Sequence, residues 1–255
     1  MLTAAVLWLD GAHDAPENMA RDAAALDRTV AGASEVVVRL FRFAPPGITL
    51  GRAQDPAREL DLARVAEAGL RWAVRPTGGR AILHDQEWTF SLVTPLKTGA
   101  WAATPAAAYE RTGRLLAAVF QQLGVPAVMA PGSPRGVGSP RRRDGAAPPC
   151  FASSARHELL LEGRKLAGIA QRVVRGALLQ QGSLLLGPGH AELSRFLAVD
   201  DGVRGSMRAA ALEGSAEAGR WLGDDRSLER LADAWSICWP EARVVRGGEA
   251  CSPRA

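Results

Sequence analysis

The strand-like runs of this chain fall into two groups, with helical patterns before, between and after them. That arrangement limits the fold more than any other feature. Residues 35–43, EVVVRLFRF, are β-branched and alternate, which marks a strand. Residues 4–9, 48–51, 70–74, 80–84 and 88–94 complete the first group. PAVMA at 126–130 is a brief strand, and residues 157–162, 165–173 and 177–186 read as a three-stranded meander turning at Gly163 and Gly176. The spacing predicts helices over 15–31, 55–68 and 104–123. In the first, Asp14 is the cap, Pro16 suits the first turn, and Met19, Ala23, Leu26 and Val30 share one face. In the third, Ala108, Leu115, Leu116, Val119 and Leu123 form one stripe. From about residue 188 the chain reads as helical and polar, with a final helix near 228–238. Strands grouped in this way predict an α+β fold, mixed sheets flanked by helices, rather than an alternating βαβ array. No repeat or boundary divides the chain, so a single domain over residues 1–255 is expected.

Residues 131–149 interrupt the pattern. Four Gly, five Pro and four Arg without periodicity predict a flexible surface loop there. No apolar run reaches the roughly 18 residues of a membrane span. The start, MLTAAVLWLDGAHD, lacks a basic n-region and Asp10 cuts its apolar run short, so a cytoplasmic protein without a membrane partner is expected. Three cysteines at these positions match no zinc pattern and read as reduced thiols. The net charge of +4 gathers in the 131–149 loop with few aromatics interleaved, which argues against a nucleic-acid partner.

The basic residues single out one position. The chain has 29 arginines and two lysines, Lys97 and Lys165, so the lysine of EGRKLAGIAQ is not one more interchangeable charge. Arginine stays protonated, and its planar fork does not replace a compact ammonium. Lys165 is therefore the first candidate for chemistry. Cys150, in PPCFASS, is the second: a thiolate there could attack a thioester or another activated acyl group. A buried structural thiol is the other reading of that residue. A hairpin turn at Glu162-Gly163 would bring Lys165 alongside the segment after Cys150, where an ammonium favours the thiolate. Cys238 reads as core and Cys251 as tail. Thr77-Gly78-Gly79, flanked by Arg75 and Arg80, reads either as backbone donors offered to an anionic or carbonyl ligand or as a plain hairpin. His84 ends the next strand, where it could hydrogen-bond a substrate. His13, His157 and His190 are scattered and read as structural or solvated.

Four stretches in order resemble the lipoate–protein ligase and octanoyltransferase family, whose fold is shared with biotin ligases. They are GITLGRAQ (47–54), VRPTGGRAILHD (74–85), GRKLAGIAQRV (163–173) and LLQQGSLLL (178–186), and ENMARDAAAL (17–26) is similar to the family's first helix. The Cys-Phe shortly before the lysine strand, and Arg80 after the glycine pair, resemble the cysteine-dependent octanoyltransferases. Biotin ligases carry a different glycine-arginine motif at that place. The resemblance implies a biotin/lipoate ligase-like catalytic domain in which Cys150 takes octanoyl from octanoyl acyl carrier protein. A lysine of a lipoyl domain, such as that of glycine cleavage H protein, then receives it, with no cofactor. Lys165 would hold Cys150 as thiolate and orient the carbonyl. Backbone donors near Gly168 and Ala170 would serve the oxyanion. Arg75, Thr77, Gly78, Gly79, Arg80, His84, Gly182 and Ser183 would bind substrate. An ATP- and Mg-dependent lipoate ligase, and a non-catalytic carrier-binding relative, are the alternatives, and a monomer is expected. The chain departs from the family pattern at Val74-Arg75, Ile169 and Gln181. Arg135 and Arg141 to Arg143 are candidates for steering an acidic carrier, or a solvated insert.

Overall fold

The structure is a computed structural model that describes residues 5–96, 101, 103–130 and 158–247. β1 (Ala5–His13), α1 (Ala15–Val30) and β2 (Val36–Phe43) form a parallel crossover unit. Asp14 caps α1 by accepting from the Glu17 amide at 2.9 Å, with Pro16 in the first turn. β3 (Gly47–Leu50), α2 (Pro56–Glu59), α3 (Leu62–Glu67), β4 (Arg71–Val74), β5 (Ile82–His84) and β6 (Glu87–Pro95) follow. Next come α4 (Pro105–Gln122), β7 (Val128–Met129), β8 (Leu159–Leu161), β9 (Arg164–Lys165), β10 (Ala167–Val174) and β11 (Ala177–Leu185). A 3-10 helix (Pro188–Phe196), α5 (Asp201–Gly214), α6 (Gly219–Leu222), α7 (Leu228–Cys238) and β12 (Ala242–Arg246) complete the described chain. No helix among the described residues is long and apolar enough to cross a membrane.

A six-stranded mixed sheet, ordered β10-β11-β6-β2-β1-β12, carries the molecule. Its register places Leu7, Val38, Leu40, Phe90, Leu92 and Leu184 on one face, against Leu116, Val119 and Phe120 of α4 and Leu231 and Trp235 of α7. The opposite face is buried under α1, with Ala25 and Leu26 packed on Val93 and Leu179. Because strand side chains alternate, this second face receives the polar residues of the same strands. Two three-stranded sheets, β4-β3-β5 and β7-β8-β9, flank it. The α+β class and the mixed sheets flanked by helices are as expected from the sequence.

Four local expectations are corrected. The meander divides between two sheets: β8 and β9 form a hairpin that pairs with β7, whereas β10 and β11 join the large sheet. The Thr77-Gly78-Gly79 segment is no hairpin, because β3 lies between β4 and β5 and pairs with both. The helix expected over 55–68 breaks at Leu60, which turns into extended backbone to bury its side chain and bridge Leu197. The segment after 188 is not wholly helical: β12 pairs in parallel with β1, with Val244 opposite Leu7. The 131–149 loop lies outside the described residues.

Candidate active site

The polar face of the large sheet is built in rows. Gly168, Ser183, Thr89 and Phe41 lie opposite one another across four strands, and Ala170, Gln181, Ser91 and Arg39 form the next row. Arg39 is 1% exposed and serves as a hub. It donates to Asp10 at 2.6 Å, to Asp22 at 2.9 Å and to the Asn18 side chain at 2.6 Å, and its guanidinium lies over Phe41. Asp22 in turn accepts from Ser91 at 2.7 Å and from the Gln181 amide at 2.6 Å. The Gln181 carbonyl accepts from the Thr77 hydroxyl at 2.7 Å. A continuous chain of hydrogen bonds, charge-assisted as far as the Asp22–Gln181 link, thus runs from the centre of the sheet to the 77–79 turn.

That turn is organised around Arg75. The buried guanidinium donates to the carbonyls of Gly78 (2.8 Å), Arg80 (2.8 Å) and Thr49 (3.2 Å). Gly79 has φ +98, and a Cβ there would stand 2.6 Å from Arg75 Nη2, so glycine is needed for both conformation and space. The bonds from Arg75 hold the turn's shape. Gly79 lines a cavity on the polar face, whereas Gly78 and Arg80 do not.

His84 also lines the cavity, but both of its ring nitrogens are engaged within the protein. Nδ1 lies 2.7 Å from Glu87 Oε1 and Nε2 lies 2.7 Å from the Thr49 hydroxyl, while the ring stacks on Phe43 at 3.9 Å. Glu87 Oε1 accepts from Thr89 (2.7 Å) and Ser183 (3.1 Å) as well. The expectation that a His84 nitrogen meets substrate is revised: the residue contributes a ring wall, and Glu87 fixes it.

Lys165 reaches the same cavity from β9. Its Nζ donates to Glu158 Oε1 at 2.5 Å, and both side chains are buried. Its backbone is held from two sides, by Leu160 of β8 and by a bridge to Ser215, with the Ala216 amide donating to the Lys165 carbonyl at 3.0 Å. His190 Nε2 lies 3.0 Å from the Ser215 hydroxyl beneath this bridge. Tyr109 of α4 stands near: burial, with the Glu158 charge adding to it, pushes its phenol up to about 12. For His190, burial lowers the pKa from its ordinary value near 6.5, opposed by Glu217. The unfolded chain then takes up a proton that the folded protein refuses. Stability is full above about pH 6.5 and is lost as pH falls through the lower folded value. We expect His190→Gln to flatten the fall in urea-unfolding midpoint between about pH 7.5 and 5.5. Equal slopes in the two proteins would discount His190 as the source.

The cavity and its mouth hold about 600 Å³ of empty space, part of it open to solvent. Met19, Phe41, Ile82 and Ile169 supply apolar wall, and Thr49, Arg75, Gln181 and Ser183 supply polar groups. Gly182 also lines it, and a Cβ at this position would stand 2.2 Å from the Phe90 ring. Gly168 and Ala170 lie on β10, an edge strand, where alternate amides point away from β11. Arg75, Gly79, His84, Lys165, Gly168, Ala170, Gly182 and Ser183 are therefore brought to one cavity, with Thr77 bonded behind it. Cys150, His157 and Arg135 to Arg143 lie outside the described residues. Cys238 is half-buried at the end of α7, where burial raises its thiol pKa, and it does not line the cavity. Asp22, Arg39, Glu87 and Glu158 were missed as site residues. The signal for Arg39 was alternation: a charged residue set between Val38 and Leu40 of a strand reads as solvent-facing but points inward.

Residues 14–217 match the family described as Lipoyl protein ligase A/B catalytic domain. The octanoyltransferase LipM of Geobacillus kaustophilus is 36% identical over 180 residues, covering 70% of this chain and 64% of that one. LipM of Kyrpidia tusciae is 31% identical over 237 residues, covering 92% and 86%. The chain spans 64%, 63% and 60% of the length of three LipM relatives, those of G. kaustophilus, Moorella thermoacetica and Macrococcus caseolyticus. In fold, the chain is similar to a bi-partite lipoate protein ligase from Thermoplasma acidophilum, with TM-score 0.71, 19% identity and coverage of 98% and 89%. A lipoate-protein ligase A bound with ATP superposes with TM-score 0.69, 20% identity and coverage of 98% and 91%.

Proposed function

The chain belongs to the Lipoyl protein ligase A/B catalytic domain family, and from that premise we propose that it moves octanoyl from acyl carrier protein to a lysine of a lipoyl domain. The observation that carries the reading is the meeting of Lys165 with the Gly168–Ala170 strand at a cavity that also has an apolar wall of Met19, Phe41, Ile82 and Ile169. An acyl chain suits Met19, Phe41, Ile82 and Ile169, and its carbonyl suits the ammonium and the backbone amides of an edge strand. Sequence similarity to octanoyltransferases supports the same activity.

In this mechanism the Cys150 thiolate attacks the carbonyl carbon of the octanoyl thioester. A carbon–sulfur bond to the enzyme forms, the carrier's thiolate leaves, and it takes the proton that the cysteine gave up. The amine of the acceptor lysine then attacks the enzyme thioester. An amide forms, Cys150 leaves as thiolate, and the nitrogen's proton passes to solvent, balancing the one the carrier's thiolate took up. Lys165 stabilises negative charge at the sulfur and at the carbonyl oxygen, and the 77–79 turn shapes the opposite wall. No cofactor is needed. The acceptor is a lipoyl domain, with the glycine cleavage H protein as one example, and the reaction is cytoplasmic.

Intact mass spectrometry tests this reading. Mixed with octanoyl acyl carrier protein and no ATP, the protein is expected to gain one octanoyl group. Hydroxylamine should remove it, and Cys150→Ala should not acquire it. A folded protein that binds a competent donor without gaining mass would sink the transferase reading, and ATP-dependent use of free lipoate would replace it with ligase activity.

A further inference from the structure

We infer that Glu158 is a positioning residue for acyl transfer: through its carboxylate it fixes the Lys165 ammonium at the cavity wall. The inference rests on the reading of the site given above.

The geometry separates two tasks. Backbone contacts with Leu160, Ser215 and Ala216 fix where Lys165 begins. They leave a flexible four-carbon stem, whose ammonium has no inherent direction. Glu158 supplies one, at 2.5 Å from Nζ, with its side chain 3% exposed. Glu158 Oε2 is buried with no hydrogen-bond partner among the described residues. A carboxylate held this way is an inefficient means of stabilising a fold, since well-packed apolar residues of similar volume serve as well or better. Its particular contribution is to hold a cation at a fixed point beside an apolar cavity.

Other titratable groups described around the pair have contacts of their own. The Glu162 carboxylate on the neighbouring turn is bonded to Arg220. Tyr109, facing Glu158 from α4, is a phenol with a raised pKa. His190 bonds to Ser215, which bridges the Lys165 backbone, with Glu217 near it. Arg75, across the cavity, is bonded to carbonyls of its own turn.

The test compares Glu158→Gln and Glu158→Asp in the full chain, with octanoyl acyl carrier protein as donor and a lipoyl domain as acceptor. Glutamine keeps the shape and removes the charge; aspartate keeps the charge and shortens the reach. Both are expected to lower kcat by at least about tenfold with KM for the carrier unchanged, since the group acts at the reacting carbonyl. A purely structural role would lower the unfolding midpoint and leave kcat per folded molecule as in the wild type, which would overturn the inference. If the glutamine variant does not fold, unchanged kcat in Glu158→Asp overturns it equally. Failure of the functional reading is separately visible, as a wild-type protein that transfers nothing.

Discussion

Lys165→Met is expected to slow octanoyl transfer about 100- to 1,000-fold, the loss seen when one donor to a developing oxyanion is removed. Methionine keeps the length and apolar stem of lysine, so the cavity wall stays filled. The substitution has a second consequence that needs to be separated from the first. It leaves the Glu158 carboxylate buried without its cation, and breaking a buried pair on one side costs about 3–5 kcal/mol. Lys165→Met with Glu158→Gln removes both charges and should regain most of that stability. The double variant is nonetheless expected to remain as slow as the single one. Single-turnover transfer rates and urea midpoints on the three proteins test the separation. A double variant that recovers both would assign Lys165 to the fold rather than to the reaction. Lys165→Arg is not expected to rescue, since the planar fork does not place one compact charge where Nζ stands.

Arg39→Met is expected to destabilise the fold by about 3–5 kcal/mol, because it takes the paired guanidinium from the buried Asp22 carboxylate and leaves buried Asp10 to Arg21. The effect should reach the site as well. Asp22 would lose the partner that sets its orientation, and the order of Gln181 and Thr77 depends on Asp22. Transfer by the folded fraction is therefore expected to fall together with stability. Unfolding midpoints and the rate per folded molecule decide the matter. A variant with the wild-type midpoint would mean that the network is dispensable to the fold.

The apolar half of this architecture was legible in the sequence because periodicity reports burial on one face. The stripe of α4 and the cap of α1 occur where spacing and capping residues place them. The polar half was harder to read. β6 runs Glu87-Trp88-Thr89-Phe90-Ser91-Leu92, an alternation that ordinarily marks a half-exposed strand, yet the whole run is buried. What distinguishes this strand is a helix laid over its polar side, and no local pattern encodes that. Glu158 was hidden for the same reason: its place at the start of a strand looks like surface, and only the pairing of β8 with β9 sets it beside Lys165. The split of the meander depends on Leu166, which is buried between the two sheets and whose amide bonds back to Leu159. That is a long-range packing outcome rather than a propensity. The glycine turn was visible as a turn, but the strand inserted between its flanks could not be seen, because β3 precedes it by more than a helix.

The pairing of β1 with β12 bears on how the protein is made. The Trp8 indole donates to the Gly247 carbonyl across a separation of 239 residues, so the outer edge of β1 finds its partner only after that whole span has been made. Until then the nascent chain presents an open strand of Leu, Trp and Val to its surroundings, a template for pairing with other chains. Ser215 and Ala216 likewise reach the Lys165 backbone late. Ribosomes stalled between these points would hold a chain whose large sheet is nearly complete but whose first edge is still unguarded, and such chains are the ones expected to recruit chaperones.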